Sequence, residues 1–243
     1  MKRIIIIGAS SGIGQRCAEI FASKGYKVAI AARRVEKLIA IEQKYPSNIV
    51  YMPIDITQKN ADQLFLQLIQ KNGGMDIYLH VSGIGFHNGE LAQDKEIATL
   101  EVNGLGFTRM ITTAFNYFKE KHIKGHISCI TSIAGTKGMG LAPSYSSTKR
   151  FQNTYITCLE QLSHINKLGI TFTDIRPGFV NTDLLDPTRH YPLLMDANNV
   201  SKTIVKSIEA KKRIKVINNK YALITFFWRL IPNYIWVRLP LKN

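Results

Sequence analysis

The chain has 243 residues, of which 45% are hydrophobic and 20% charged. That excludes a disordered, collagen-like or disulfide-rich chain, and the length suffices for one large domain with a sizeable core. Lys and Arg number 32 against 17 Asp and Glu, a formal net charge of +15, so nucleic acid, an anionic membrane or an acidic protein must be weighed as partners.

The chain begins Met1-Lys2-Arg3 and continues with four isoleucines. The apolar run ends at Gly8, shorter than the roughly 7–15 residues of a secretory h-region, so it reads as a buried strand. Further short apolar runs, at 28–31, 49–52, 77–81, 127–130 and 170–175, are mostly β-branched and lack polar alternation. Such runs suit parallel strands covered on both faces. Helical patterns lie between them at 13–23, 35–44, 61–70, 95–118 and 144–166, with a break expected at Gly104 and Gly106. The alternation predicts an α/β fold, a Rossmann-type doubly wound parallel sheet in a single domain. Residues 1–217 are expected to form the catalytic domain and 218–243 a basic aromatic tail. Cys17, Cys129 and Cys158 cannot all pair and form no CxxC, so reduced thiols of a cytoplasmic protein are expected, with no metal site.

Gly8-Ala9-Ser10-Ser11-Gly12-Ile13-Gly14 follows the first strand and opens a helix. Glycines there allow a tight turn and let the backbone approach a pyrophosphate at the helix N-terminus. A dinucleotide site specific for NAD places a carboxylate at the end of strand two. This chain has Ala31-Ala32-Arg33-Arg34 instead. Guanidinium groups suit a 2′-phosphate, so NADP(H) is expected over NAD(H), with Arg33 as the main contact and Arg34 and Ser10 as helpers.

Tyr145 and Lys149 stand four residues apart and would share a helix face. An ammonium near a phenol favours phenolate, so Lys149 is expected to draw Tyr145 down from about 10 and make it a general acid–base. Ser132, just after a strand, could hydrogen-bond a substrate carbonyl oxygen.

The set in this order resembles the short-chain dehydrogenase/reductase family, classical type, over nearly the whole of residues 2–217. Gly8, Gly12 and Gly14 match its cofactor turn, and Ser11 and Ile13 fall within it. Asp55, followed by Ile56, matches the residue that contacts the adenine ring, and Gly83 the close backbone approach beside the adenosine. Asn103, Ser132, Tyr145 and Lys149 match the catalytic tetrad. Pro177 and Gly178 open the segment in which Val180 and Thr182 would hold the nicotinamide carboxamide. The resemblance implies hydride transfer from NADPH to a carbonyl carbon, or the reverse. Ser132 would orient the carbonyl oxygen and Tyr145 would protonate it. Lys149 would bind the nicotinamide ribose, and Asn103 would position a relay water behind Lys149. It also implies a homodimer or homotetramer. One departure is His80-Val81-Ser82-Gly83, where the family has Asn-Asn-Ala-Gly. His80 reads as a structural hydrogen-bonder. Glu101, Arg109 and Arg150 read as surface or packing charges.

From Lys206 onward nine Lys and Arg face Glu209 alone, and both tryptophans, Trp228 and Trp236, lie here. The apolar run 221–227 is far below the roughly 20 residues that span a bilayer. Three roles stay open for this tail: capping the pocket and a dimer edge, lying on an anionic membrane, or binding single-stranded nucleic acid. The last is the least expected. Pocket walls are expected from 84–86, 133–139, Leu141, Phe179 and 184–195, which are largely apolar. They suit a hydrophobic ketone, aldehyde or alcohol, and a basic rim could dock an acidic acyl carrier protein. The competing readings are a redox sensor that binds NADP(H) without turnover, a membrane-associated reductase of lipid or acyl groups, and a basic adaptor.

Overall fold

Ile4, Ile5, Ile6 and Ile7 are all fully buried, and they alternate between the two faces of one sheet. The computed structural model describes residues 1–240. Its strands are β1 (Arg3–Ile7), β2 (Lys27–Ala32), β3 (Ile49–Pro53), β4 (Ile77–His80), β5 (His126–Ile130), β6 (Thr171–Arg176) and β7 (Ile214–Val216). They form one parallel sheet in the order β3-β2-β1-β4-β5-β6-β7. Helices α1 (Gly12–Ser23), α2 (Val35–Glu42) and α7 (Ala197–Glu209) cover the face of Ile4 and Ile6. Helices α3 (Ala61–Lys71), α5 (Phe107–Glu120) and α6 (Pro143–Ile165) cover the face of Ile5 and Ile7. This is the expected doubly wound α/β domain, and two-sided burial explains why β1 shows no polar alternation.

Strand order reverses between β1 and β4, the point at which open α/β sheets bind ligands beyond the C-terminal ends of their strands. The two chain segments that leave this point are tied together: Val81 N and Ser82 N donate to Ile7 O at 2.8 and 3.0 Å.

The expected break at Gly104 and Gly106 is not a break. α4 (Gln93–Leu100) runs through a π-helical turn (Glu101–Gly106) straight into α5. Gly106 keeps helical dihedrals; a Cβ there would lie 2.8 Å from the Ile56 side chain, so its glycine serves close packing. The wider turn carries Asn103, which is fully buried. Such turns are rare and concentrate at functional sites.

The sequence reading also stopped at β6. It missed β7, a short strand with Lys215 in its middle, and α7. The tail forms α8 (Asn219–Leu230) and α9 (Asn233–Trp236) after a positive-φ turn at Asn218. No helix of the described residues is long and apolar enough to cross a membrane.

Two histidines are buried on central strands. His80 Nδ1 meets Tyr78 Oη at 2.7 Å, as expected of a structural hydrogen-bonder, while its Nε2 has no partner among the described residues. His126 Nε2 meets Thr173 Oγ1 at 2.8 Å and Ser128 Oγ at 3.2 Å. Burial, then the nearby Lys149, lowers His80 to about 3. Burial, then Lys211 and Lys2, lowers His126 to about 4. The unfolded chain takes up these protons near pH 6.5 and the folded chain does not, so stability falls as pH drops below 6.5. For His126 the loss between pH 6.5 and 4 is on the order of 3 kcal/mol. Thermal melts should show a falling Tm over that range, with a shallower fall in His126→Asn; equal slopes in the two proteins would contradict this.

Candidate active site

Gly8 has φ +95°, and a Cβ there would lie 2.4 Å from Ser82 N. A Cβ on Gly14 would lie 2.1 Å from Gly8 O. The turn therefore closes only with glycine at both positions. Gly12 has φ +53° and packs on the Thr182 methyl. The N–H groups of Gly12, Ile13 and Gly14 have no acceptor among the described residues, as at any open helix N-terminus. α1 carries no acidic residue in its first turn. These features fit a phosphate group: donors converge at the helix N-terminus, and α1 itself sets no carboxylate against it.

The two arginines after β2 part company. Arg34 crosses the turn, with Nη2 donating to Ser11 Oγ at 2.7 Å and Ser10 Oγ at 3.0 Å. Its Nη1 stands 3.8 Å from Asp183 Oδ2. Arg33 is exposed, with no side-chain hydrogen bond or ion pair among the described residues. The sequence reading ranked Arg33 first; the structure brings Arg34 to the turn.

Asp55 Oδ1 accepts from Thr57 N at 3.0 Å and Thr57 Oγ1 at 2.7 Å, which fixes the turn after β3. Ile56 beside it is buried, and its carbonyl accepts from Arg109 Nη1 at 2.5 Å. Arg109, read as a surface or packing charge, therefore braces this turn.

α6 supplies the centre of the site. Tyr145, Lys149 and Gln152 fall at i, i+4 and i+7, one stripe of the helix. Lys149 and Gln152 are buried, and Tyr145 is half-buried. Lys149 Nζ donates to Ile130 O at 3.2 Å and to Gln152 Oε1 at 3.1 Å. Gln152 Nε2 in turn donates to Asn103 O at 2.9 Å. The Asn103 side chain holds the segment after β4: Oδ1 accepts from Ile84 N at 2.9 Å and Nδ2 donates to Ile84 O at 2.7 Å. Asn103 was expected to position a relay water behind Lys149; its carbonyl accepts from the Gln152 amide, whose Oε1 accepts from Lys149 Nζ. Gln152 was missed, although polar residues three and seven positions beyond Lys149 and Tyr145 on a packed helix were the available signal.

Ser132 follows β5 and is buried; its Oγ accepts from Ala134 N at 3.1 Å. Gly85 lies against the Tyr145 ring, where a Cβ would stand 2.5 Å from Cδ2. Gly83 faces Asn103 Oδ1 and Lys149 Nζ, 3.2 and 3.4 Å from an added Cβ. The segment 177–182 returns from the sheet toward α1. Pro177 O accepts from Ile133 N at 3.0 Å, Val180 is buried, and a Cβ on Gly178 would meet the Tyr221 ring. The Gly8–Gly14 turn, Arg33 and Arg34, Asp55, Gly83, Ser132 and the 177–182 segment each follow the C-terminal end of a strand, and Asn103, Tyr145 and Lys149 reach the same end of the sheet through the contacts above.

The electrostatics differ from expectation in one respect. Burial lowers Lys149 to about 8, against the opposing pull of Cys129 and Asp174. Burial raises the Tyr145 phenol, and the Ser132 hydroxyl hydrogen bond pulls it down. Lys149 Nζ sits 5.7 Å from the Tyr145 ring centroid. In the protein alone, then, Lys149 does not draw the phenol down; desolvation is the larger effect.

A further anchor was not foreseen. Glu96 on α4 accepts from Ser144 N at 3.0 Å and from the Ser144 hydroxyl, at the N-terminus of α6. Its other oxygen accepts from Asn88 Nδ2 at 2.7 Å. Hydrogen bonds from the Ser144 hydroxyl, from Asn88 and from the Ser144 N–H hold the carboxyl below the usual carboxylate range. Asn88 N donates to Leu141 O at 2.8 Å, so the pocket wall after β4 is pinned to α6.

The family profile described as short chain dehydrogenase matches residues 2–192. An uncharacterized oxidoreductase of Mycobacterium tuberculosis is 27% identical over 98% of this chain and 94% of its own length. Another, of Listeria monocytogenes, is 31% identical over 76% of this chain and 77% of its own length. Among solved structures, ElxO with NADP bound superposes with a TM-score of 0.79 at 22% identity, covering 91% of this chain and 99% of that one. An alcohol dehydrogenase of Thermococcus sibiricus complexed with 5-hydroxy-NADP gives 0.77 at 22% identity, covering 91% and 97%. The chain belongs to the short-chain dehydrogenase/reductase family of oxidoreductases.

Gln152→Leu removes the amide between Asn103 and Lys149 and leaves buried donors and acceptors unpaired. It should lower stability by about 1–3 kcal/mol in denaturant melts and slow turnover roughly tenfold. A variant as stable and active as wild type would contradict the bridging role.

Proposed function

We propose that this protein interconverts a hydrophobic ketone or aldehyde and its alcohol, using NADP(H). The observation that carries the proposal is the α6 stripe: Tyr145 beside Ser132, with Lys149 buried behind it on Gln152 and Ile130 O. That arrangement offers a carbonyl oxygen one hydrogen-bond donor and one transferable proton.

Gly8, Ser10, Ser11, Gly12, Ile13 and Gly14 would hold the pyrophosphate and Asp55, Ile56 and Gly83 the adenosine. Tyr145 and Lys149 would hold the nicotinamide ribose, and Pro177, Gly178, Val180 and Thr182 the carboxamide. Bound NADPH supplies a hydride to the carbonyl carbon. Ser132 donates a hydrogen bond to the carbonyl oxygen as it gains negative charge. Tyr145 Oη gives that oxygen its proton and completes the alcohol. Lys149, charged below about pH 8, stabilises the phenolate left behind. Preference for NADP(H) rests on Arg34 at Ser10 and Ser11, with Arg33 in reserve, and on the absence of a carboxylate at the end of β2. The two neighbours solved with NADP or 5-hydroxy-NADP support it. Exposed Leu100, Leu105, Phe151, Leu162 and Ile165 on α4, the π-helical turn and α6 support the expected homo-oligomer.

Incubation with NADPH and a panel of hydrophobic carbonyls should consume reduced nicotinamide. Tyr145→Phe should lower kcat at least ~100-fold. Wild-type rates in Tyr145→Phe would overturn the mechanism. Arg34→Ala should raise KM for NADPH roughly tenfold or more and leave KM for NADH unchanged, with a smaller effect from Arg33→Ala. A wild-type preference for NADH would overturn the cofactor assignment.

A further inference from the structure

Helix α8 is apolar on both of its sides. Tyr221, Thr225 and Trp228, at i, i+4 and i+7, turn inward. The Tyr221 hydroxyl donates to Pro192 O at 2.7 Å and accepts from Phe179 N at 3.3 Å. The other side carries Leu223, Phe226, Phe227 and Leu230, at i, i+3, i+4 and i+7. Phe226, Phe227 and Leu230 are 57%, 55% and 63% exposed, and no described residue covers that stripe. A water-facing helix surface is ordinarily polar, so a four-residue apolar stripe marks a face with an absent partner.

α9 extends the ridge. Its inward residue is Trp236, whose Nε1 donates to Gly138 O at 2.7 Å. Lys137 Nζ fastens the same corner, donating to Ile231 O at 2.8 Å and Asn233 Oδ1 at 2.7 Å. Tyr234 and Val237 stay exposed at 65% and 77%. The ridge is thus held rigidly against 137–138 and 179, segments of the expected pocket wall.

Charge identifies the partner. No acidic residue follows Glu209, whereas eight Lys and Arg do. Lys220, Arg229 and Arg238 on the ridge are exposed and have no carboxylate partner among the described residues. A second copy docking through a two-fold axis would set these cations against themselves. We infer that α8 and α9 form a docking surface for an anionic lipid bilayer, with the aromatic stripe in the interface and the cations at the headgroups. The protein lies on the membrane through this ridge, which is fastened to residues 137, 138 and 179. This inference stands apart from the proposed catalysis and holds for any substrate.

The test uses the full chain and sucrose-loaded vesicles in low-salt buffer. The protein should sediment with vesicles of phosphatidylcholine and phosphatidylglycerol in equal amounts, and stay in solution with phosphatidylcholine alone. Each cation near an anionic surface is worth roughly fivefold in partition, so Arg229→Glu with Arg238→Glu should weaken binding at least ~tenfold. Phe226→Ser with Phe227→Ser should do the same, with unchanged Tm and unchanged turnover of a water-soluble carbonyl. Raised salt should release the wild type. Three outcomes would overturn the inference: no sedimentation with the mixed vesicles, undiminished binding in both double variants, or a ridge that serves another partner instead. The last would appear as an oligomer dissociated by Phe226→Ser with Phe227→Ser, or as ridge-dependent retention of a single-stranded oligonucleotide, without vesicle binding.

Discussion

The buried carboxylate of Asp174 is the point on which the site depends. It is 3% exposed on β6 and gathers three elements around it. Oδ1 accepts from Thr131 Oγ1 at 2.5 Å, just after β5. Oδ2 accepts from Asn153 Nδ2 on α6 at 3.0 Å, and from Arg176 Nε and Nη2 at 2.8 and 2.6 Å. Breaking a buried charge pair by removing one partner typically costs about 3–5 kcal/mol, far more than an exposed pair contributes. The network is therefore a strong constraint on where α6 can lie. Asn153 also donates to Thr131 Oγ1 at 2.9 Å, so the helix is fixed in rotation as well as in distance.

Rotation matters because the side chains proposed for catalysis share that face. Lys149 is one helical turn before Asn153, Gln152 is its neighbour, and Tyr145 is one turn further toward the N-terminus. With Asn153 fixed, the Lys149 ammonium reaches Ile130 O, and Gln152 reaches the carbonyl of Asn103 in the π-helical turn. At its other end α6 is tied to Glu96 through Ser144. The helix is thus held at its N-terminal end and at its middle. The Tyr145 ring packs against Gly85, where a Cβ would stand 2.5 Å from Cδ2. Rigid support of this kind keeps a proton donor within reach of a bound oxygen without reorganisation at the moment of reaction.

Much of this was legible in the sequence. The alternation of apolar runs gave six of the strands, and Gly8, Gly12 and Gly14 declared a turn that only glycines close. Tyr145, Lys149 and Ser132 stood out by their spacing and order, whereas Asn103 came only through the family resemblance. What escaped depends on side-chain direction. Arg33 and Arg34 are adjacent in sequence, and only the trajectory leaving β2 decides which one crosses Ser10 and Ser11. Gln152 and Glu96 are common residue types whose roles arise from partners 49 and 48 positions away. The shift of Tyr145 was misjudged because sequence distance to Lys149 says nothing of burial, the larger effect on both groups. β7 was missed because a three-residue strand containing a lysine carries almost no periodic signal.

The tail's charge was conspicuous from composition, yet its division into an inward and an outward apolar stripe required the fold. The central claim remains chemical: a hydride and the Tyr145 proton meet on one carbonyl group at this site. The most direct measurement is isotope transfer from NADPH deuterated at the nicotinamide C4 to a hydrophobic ketone, followed by mass spectrometry of the product. The account predicts one deuterium on the carbinol carbon, from one face of C4 only, and none detectable with Tyr145→Phe. Alcohol formed without the label, or label lost to solvent with no alcohol formed, would contradict it.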